Sequence, residues 1–303
     1  MKYLKNLEVP KGKIDVVLDT DAYNEIDDQF AIVYMLRSKE KLNTVALYAA
    51  PFHNINSSGP KDGMERSYIE IKKILKLLGE DSFSGEVFRG SERYLENERT
   101  PVISEAAEDL AKRAMNYTEQ NPLYVVAIGA ITNIASALLI NPDIAQRIVV
   151  VWLGGHSREW SDTREFNMWQ DVAAARVVMG SAAPFVQLPC MGVVSEFRIS
   201  EPELRYWLSG KSALADYLAM NTMHTAFSYV KPCSSWTRVI WDVTAVAWLL
   251  NDGNRFLRSR VTDTYLPSYE GIYEDQPIEK ESVYVYGINR DALMTDLIEK
   301  ILN

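Results

Sequence analysis

Residues 16–28 read VVLDTDAYNEIDD. With the two residues before it, its start reads as a short apolar strand, IDVVLD (14–19). Asp19 and Asp21 stand at the strand's end, and Asp27 and Asp28 follow at the head of DDQFAIVYMLRS (27–38), whose apolar residues recur at helical spacing. The stretch is therefore the strand–loop–helix start of an α/β unit. Its four aspartates and Glu25 crowd one junction with no Lys or Arg between them. Helix capping accounts for one or two of these acids, because carboxylates favour the positive N-terminus of a helix. It does not account for the pair at the strand end. Carboxylates brought together without a basic partner rise in pKa or require a cation. An oxygen-liganded divalent ion is the functional reading; Ca²⁺ takes roughly 6–8 oxygens.

Outward from this stretch, short β-branched runs alternate with helical patterns. NTVALYAA (43–50) reads as a strand, and GMERSYIEIKKILKLLG (63–79) as an amphipathic helix ended by Gly79. EVFRG is a short strand, SEAAEDLAKRAMNY (104–117) a helix with a Ser start, and LYVVAIG with TNIASALLI a strand and a helix. RIVVVWLGG (147–155) is a strand, DVAAARVVM (171–179) a helix and APFVQLP (183–189) a strand. The last third is helical, with a late strand SVYVYG and a closing helix RDALMTDLIEKILN. This alternation predicts an α/β fold: a mainly parallel central sheet, open and Rossmann-like, flanked by helices. Sites in such sheets form at the carboxyl ends of the strands. No linker, repeat or low-complexity segment interrupts the chain, so residues 1–303 are expected to form a single domain.

Composition narrows the function. The 303 residues are 47% hydrophobic and 24% charged, with a net charge of −9. So acidic a chain is unsuited to gripping nucleic acid or anionic membranes. LYVVAIGAITNIASALLI approaches membrane length but is broken by Gly129, Thr132 and Asn133. The N-terminus lacks an apolar core of signal-peptide length, and Cys190 and Cys233 are far apart. The expectation is a cytoplasmic protein with reduced, structural thiols.

DTDA resembles the Asp-x-Asp start of haloacid-dehalogenase-like phosphohydrolases, with Asp19 as nucleophile. Tyr23 breaks that pattern, and the later Lys and acidic pair are not evident. Four motifs in order resemble a different family more closely: DTDAYNEIDDQFAI, AIGAITNIA (127–135), LGGHSREWSDTREFNMWQDVAAARVV (153–178) and SSWTRVIWDVTAVAWLL (234–250). Together they resemble the nucleoside hydrolases of the inosine–uridine-preferring type over most of the chain.

The resemblance implies calcium-dependent cleavage of a ribonucleoside to ribose and free base. It implies Asp21 as metal-bound general base, Asp28 and Asp242 as metal ligands, and Thr132 as a ligand through its backbone carbonyl. Asp27, Glu165 and Asn167 would meet the ribose hydroxyls, with Phe166 between the last two and Asp19 supporting. Asn54, beside His53, falls where relatives carry a loop Asn near the ribose. The resemblance also implies a homo-oligomer, dimer or tetramer, acting on a small-molecule ribonucleoside.

Three departures stand out. The loop between Asp21 and Asp27 is about two residues longer than is usual in the family, with Tyr23 and Asn24 in it. Before REFN, HSREWSD replaces a Gly-Asn ribose contact, leaving Glu159 near that position. Trp241 stands before the late Asp where many relatives have His. A purine-preferring branch has Trp there and stacks the base, so Trp241 points to purines; core packing is its structural reading. His224, in a helical segment, is a candidate acid for the leaving base, and His156, after a strand-end Gly-Gly, a candidate pocket residue. A non-catalytic ribose or nucleoside binder is the remaining alternative.

Overall fold

The computed structural model describes residues 4–79, 83–229, 231 and 234–303. In chain order the elements are β1 (Ile14–Thr20), α1 (Asp28–Leu36), β2 (Leu42–Ala49), α2 (Pro60–Leu78), β3 (Glu86–Arg89), α3 (Glu105–Arg113), β4 (Leu123–Ala127), α4 (Thr132–Ile140), β5 (Ile148–Leu153), α5 (Phe166–Gln170), α6 (Val172–Gly180) and β6 (Phe185–Leu188). There follow β7 (Arg198–Ser200), α7 (Glu201–Trp207), α8 (Ala213–Tyr229), β8 (Thr237–Val239), α9 (Val243–Leu249), β9 (Leu257–Thr264), β10 (Ile278–Ile288) and α10 (Arg290–Leu302).

Eight strands form one sheet in the order β3-β2-β1-β4-β5-β6-β10-β9. All neighbours are parallel except β10 and β9. The expected mainly parallel sheet is therefore present, with one antiparallel edge. β9 was not foreseen because LRSRVTDT is polar and only partly buried, as an edge strand can be. The ribbon of β7 and β8 was also not foreseen: each strand has three residues, too few for a periodic signal.

Alternating residues of β1 enter two cores. Val16 and Leu18 pack with α1, α9 and α10, and Val17 packs with α3 and α4 on the opposite face. Both faces are thus covered, which is why the strand reads as continuously apolar. The chain runs β1 to β3 toward one edge, then returns to place β4 on the other side of β1. That reversal opens a crevice at the carboxyl ends of β1 and β4, the place where ligands bind in such sheets. Ser104 caps α3 by accepting the Ala107 N–H (3.2 Å). Cys190 is buried and free; Cys233 lies outside the described residues. Among the described residues, no helix is long and apolar enough to cross a membrane.

Candidate active site

Strand periodicity sorts the first acidic residues, since successive side chains point to opposite faces. Thr20 turns toward α1, where its hydroxyl donates to Asp28 Oδ1 (2.5 Å). Asp19 turns toward α4, where Asn133 Nδ2 donates to its Oδ1 (2.7 Å). Asn133 is held in turn by the N–H and hydroxyl of Ser91 (2.7 and 2.8 Å). Asp21 lies just past the strand, fully buried, and neither carboxylate oxygen has a partner from another residue. Gly129, in the turn after β4, is pressed against it: a Cβ there would stand 3.0 Å from Asp21 Cγ and Oδ1. Trp152 Nε1 fixes that turn by donating to the Gly129 carbonyl (3.1 Å).

Asp27 and Asp242 occupy the N-cap positions of α1 and α9, yet neither side chain makes a capping hydrogen bond. They converge instead. Asp27, Asp28 and Asp242 each offer an oxygen within 4.8 Å of the others, and all three are buried. The backbone N–H of Asp242 donates to Asp27 Oδ2 (3.3 Å). Burial raises all of these carboxyls: Asp19 to about 7, Asp28 to about 7 and Asp27 to about 8. The charges of Glu25 and Asp28 add to the rise at Asp27. Asp21 and Asp242 are pushed well up, first by burial and then by Asp28 and Asp27 respectively. Buried carboxyls of this density, one with two unsatisfied oxygens, fit a hard cation with oxygen ligands.

Beside the acids lies a cavity of about 210 Å³, lined by Asp27, Asp242, Trp241, Glu165, Asn167 and His156 among others. Glu165 precedes α5 and caps it: Oε1 accepts the Asn167 N–H (2.8 Å), and Oε2 accepts Met168 N–H and Gly155 N–H (2.9 Å each). Burial raises its carboxyl against those bonds. Asn167 Nδ2 donates to the carbonyls of Ile128 and Leu153 (3.1 Å each), tying the ends of β4 and β5 together.

Not every expected residue stands in this cavity. Asn54 and His224 line an adjoining polar pocket of about 360 Å³, which shares Asn24 and Glu25 with the first. Asn54 holds the β1–α1 loop there, Nδ2 donating to Asn24 Oδ1 (2.6 Å). His224 is exposed on α8, and Glu159 is exposed and outside the cavity lining. The Thr132 hydroxyl donates to Asp171 Oδ2 (2.7 Å). Asp19 is buried on the α4 side with Oδ1 accepting from Asn133; neither it nor Asp21 is among the residues lining the cavity of about 210 Å³.

Other residues of the site carried weaker sequence signals. Asn133 and Asp171 anchor Asp19 and Thr132, and each sits beside a motif residue, a position that a search for second partners would have reached. Glu25 accepts from Arg238 Nη2 (2.8 Å), linking residues 213 positions apart, for which the sequence offers no cue.

The inosine-uridine preferring nucleoside hydrolase model matches residues 16–270. The chain belongs to that family. This nucleoside hydrolase is a glycosidase acting on N-glycosyl compounds. It is 27% identical over 259 residues to the non-specific ribonucleoside hydrolase RihC of Salmonella newport, covering 79% of each chain. It is 28% identical over 196 residues to the pyrimidine-specific ribonucleoside hydrolase RihA of Citrobacter koseri, covering 57% of this chain and 59% of that enzyme. Its fold matches a plant nucleoside hydrolase, PpNRh1, with a TM-score of 0.73 at 17% identity, covering 97% of this chain and 99% of that one. A purine-preferring ribonucleoside hydrolase from Gardnerella vaginalis gives 0.72 at 18% identity, covering 95% and 98%.

Proposed function

We propose that this nucleoside hydrolase is calcium-dependent and cleaves purine ribonucleosides in preference to pyrimidine ones, with Asp21 as general base. The observation that carries the reading is the convergence of Asp27, Asp28 and Asp242 beside an Asp21 whose oxygens have no partner from another residue. Asp21, Asp28 and Asp242, with the Thr132 carbonyl, would hold calcium. When bound, calcium supplies the positive charge that offsets the carboxylates, anchors vicinal hydroxyls and acidifies water. Asp21 takes a proton from the attacking water as its oxygen bonds to C1′; the C1′–N bond breaks with its electron pair going to the base nitrogen, which takes a proton from solvent. Asp27, Glu165 and Asn167 orient the sugar hydroxyls. Pockets that take a whole small-molecule ligand generally measure roughly 300–1,000 Å³. The acid-lined cavity, at about 210 Å³, suits the sugar, while the adjoining pocket of about 360 Å³ gives the base room. Asn54 and His224 line that second pocket, and Trp241, in the lining of the first cavity, offers its indole to a purine lying at the seam between the two. The same reading places one 303-residue domain in the cytoplasm, working as a homo-oligomer.

The decisive experiment is a reducing-sugar assay over a panel of purine and pyrimidine ribonucleosides, with calcium and with chelator. Turnover that chelation abolishes and calcium restores is the expected result. Ribose binding without turnover on any nucleoside would sink the hydrolase reading.

A further inference from the structure

A second cavity, of about 740 Å³, lies at the opposite end of β6 from the acids. Residues 180–184, which lead into β6, form one side of it, whereas Cys190, just after β6, lines the acid-bearing cavity. β10 runs parallel to β6 beside it, so residues 278–281 at its start stand at the same end. Leu7, Pro184, Leu266 and Ile278 give the cavity apolar walls. Its volume is that of a pocket for a whole small molecule.

Among the described residues, Lys280 is the one cation in the lining. Its Nζ donates to the Met179 carbonyl near the end of α6 (2.9 Å) and lies 5.7 Å from the centre of the Phe185 ring. Lys41, Lys61, Lys73 and Lys300 each pair with a carboxylate. Among the described residues, Lys280 pairs with none. Asp263, Glu279 and Glu281 share the lining, but all three are exposed and so belong to its rim. Cations favour a helix C-terminus, and capping α6 accounts for one hydrogen of the amine. It does not account for the open volume that the same residue lines.

A lysine desolvated without a counter-charge gives up its proton, and burial brings Lys280 down to about 7. The neutral amine carries a lone pair, and a desolvated lysine in an apolar pocket is the nucleophile of imine chemistry. The rim and walls select its partner. The acids repel anions, and the apolar walls favour hydrocarbon. A neutral carbonyl compound with an apolar body meets both conditions.

We infer that Lys280 is an imine-forming site for small apolar aldehydes, separate from the nucleoside cavity. The Nζ lone pair bonds to the carbonyl carbon, and a proton passes from nitrogen to the former carbonyl oxygen. The carbinolamine then loses water, which carries off that oxygen and both amine hydrogens as the C=N bond forms.

Reductive trapping tests it. The full chain is incubated at pH 7 with hexanal and sodium cyanoborohydride, whose hydride converts the imine to a stable hexylamine. Mass spectrometry of the digest then gives the rate at each lysine. Only about one in 2,500 ordinary lysine side chains is neutral at pH 7, so Lys280 should react about tenfold or more faster than the exposed Lys11 and Lys211. Its rate should saturate with hexanal while theirs stays linear. 1-Hexanol should slow it by competition, and hexanoate and D-ribose should not. Leu266→Asp places a charge in the wall and should remove the saturation. Thermal melts check that this variant folds, and the wild-type rates decide even if it does not. A Lys280 rate no higher than that of Lys211, a rate linear in hexanal, or protection by hexanoate as strong as by hexanol overturns the inference.

Discussion

Two aspartates separated by one residue have opposite surroundings. Asp19 is tied to Asn133, whereas Asp21 has no partner from another residue and Gly129 against its flank. Asp21→Asn should leave the melting temperature near or above the wild-type value, since it removes a buried, repelled acid. It should cost roughly 10²–10⁴ in kcat, the scale of general-base catalysis. Near wild-type turnover would show that another group takes the proton. Trp241 is argued on the same scale. It is partly buried and borders the cavity, so packing and stacking both draw on the ring. If a purine stacks there, Trp241→Ala lowers kcat/KM for purine nucleosides by about tenfold or more, stacking being worth ~1–3 kcal/mol, and changes pyrimidine substrates less. An equal loss on both classes, with a lowered melting temperature, would identify the indole as packing alone.

At the scale of elements, the β1–α1 loop is tied down from several directions. It is fastened by Gln29 Nε2 to the Ala22 carbonyl (2.7 Å), by Asn54 and Asn56 to Asn24, and by Arg238 to Glu25. The last bond joins the loop to β8, three residues before Trp241. Both partners are partly solvated, with side-chain exposures of 23% and 43%, so the pair itself contributes only about 0–1 kcal/mol. Glu25→Gln should therefore barely move the melting temperature, yet raise KM for nucleosides by loosening the seam between the two pockets. An unchanged KM would mean that the asparagines hold the loop alone. The sequence made the parallel βα units legible because β1, β4, β5 and β6 are apolar runs buried on both faces and helices such as α2 and α3 carry a polar side. The acids at the strand ends were legible because nothing basic accompanies them. Glu25–Arg238, the adjoining pocket and the β9 edge were not, since long-range pairs and half-solvated strands leave no local periodicity.

For the whole molecule, the aspartate cluster couples folding to pH and to the cation. Asp19, Asp27 and Asp28 rise from an ordinary 3.8 to about 7, 8 and 7 in the folded chain. Between about pH 4 and 8 the cation-free fold thus binds more protons at these groups than the unfolded chain does. Stability at these sites is fully present below pH 3.8 and falls as pH rises through the folded values. A divalent ion reverses that cost by offsetting the ionised carboxylates, and binding only the folded chain adds stability by mass action. The difference in melting temperature between calcium-loaded and chelated protein should therefore be small at pH 5 and widen toward pH 8. Asp242→Asn removes one ligand and one repelling charge together, so it should raise the chelated melting temperature at pH 8 and shrink the calcium effect. Differential scanning calorimetry at both pH values, with calcium and with chelator, reads all of this. A calcium effect that is constant with pH, or larger at pH 5, would mean that the clustered carboxylates do not hold the ion.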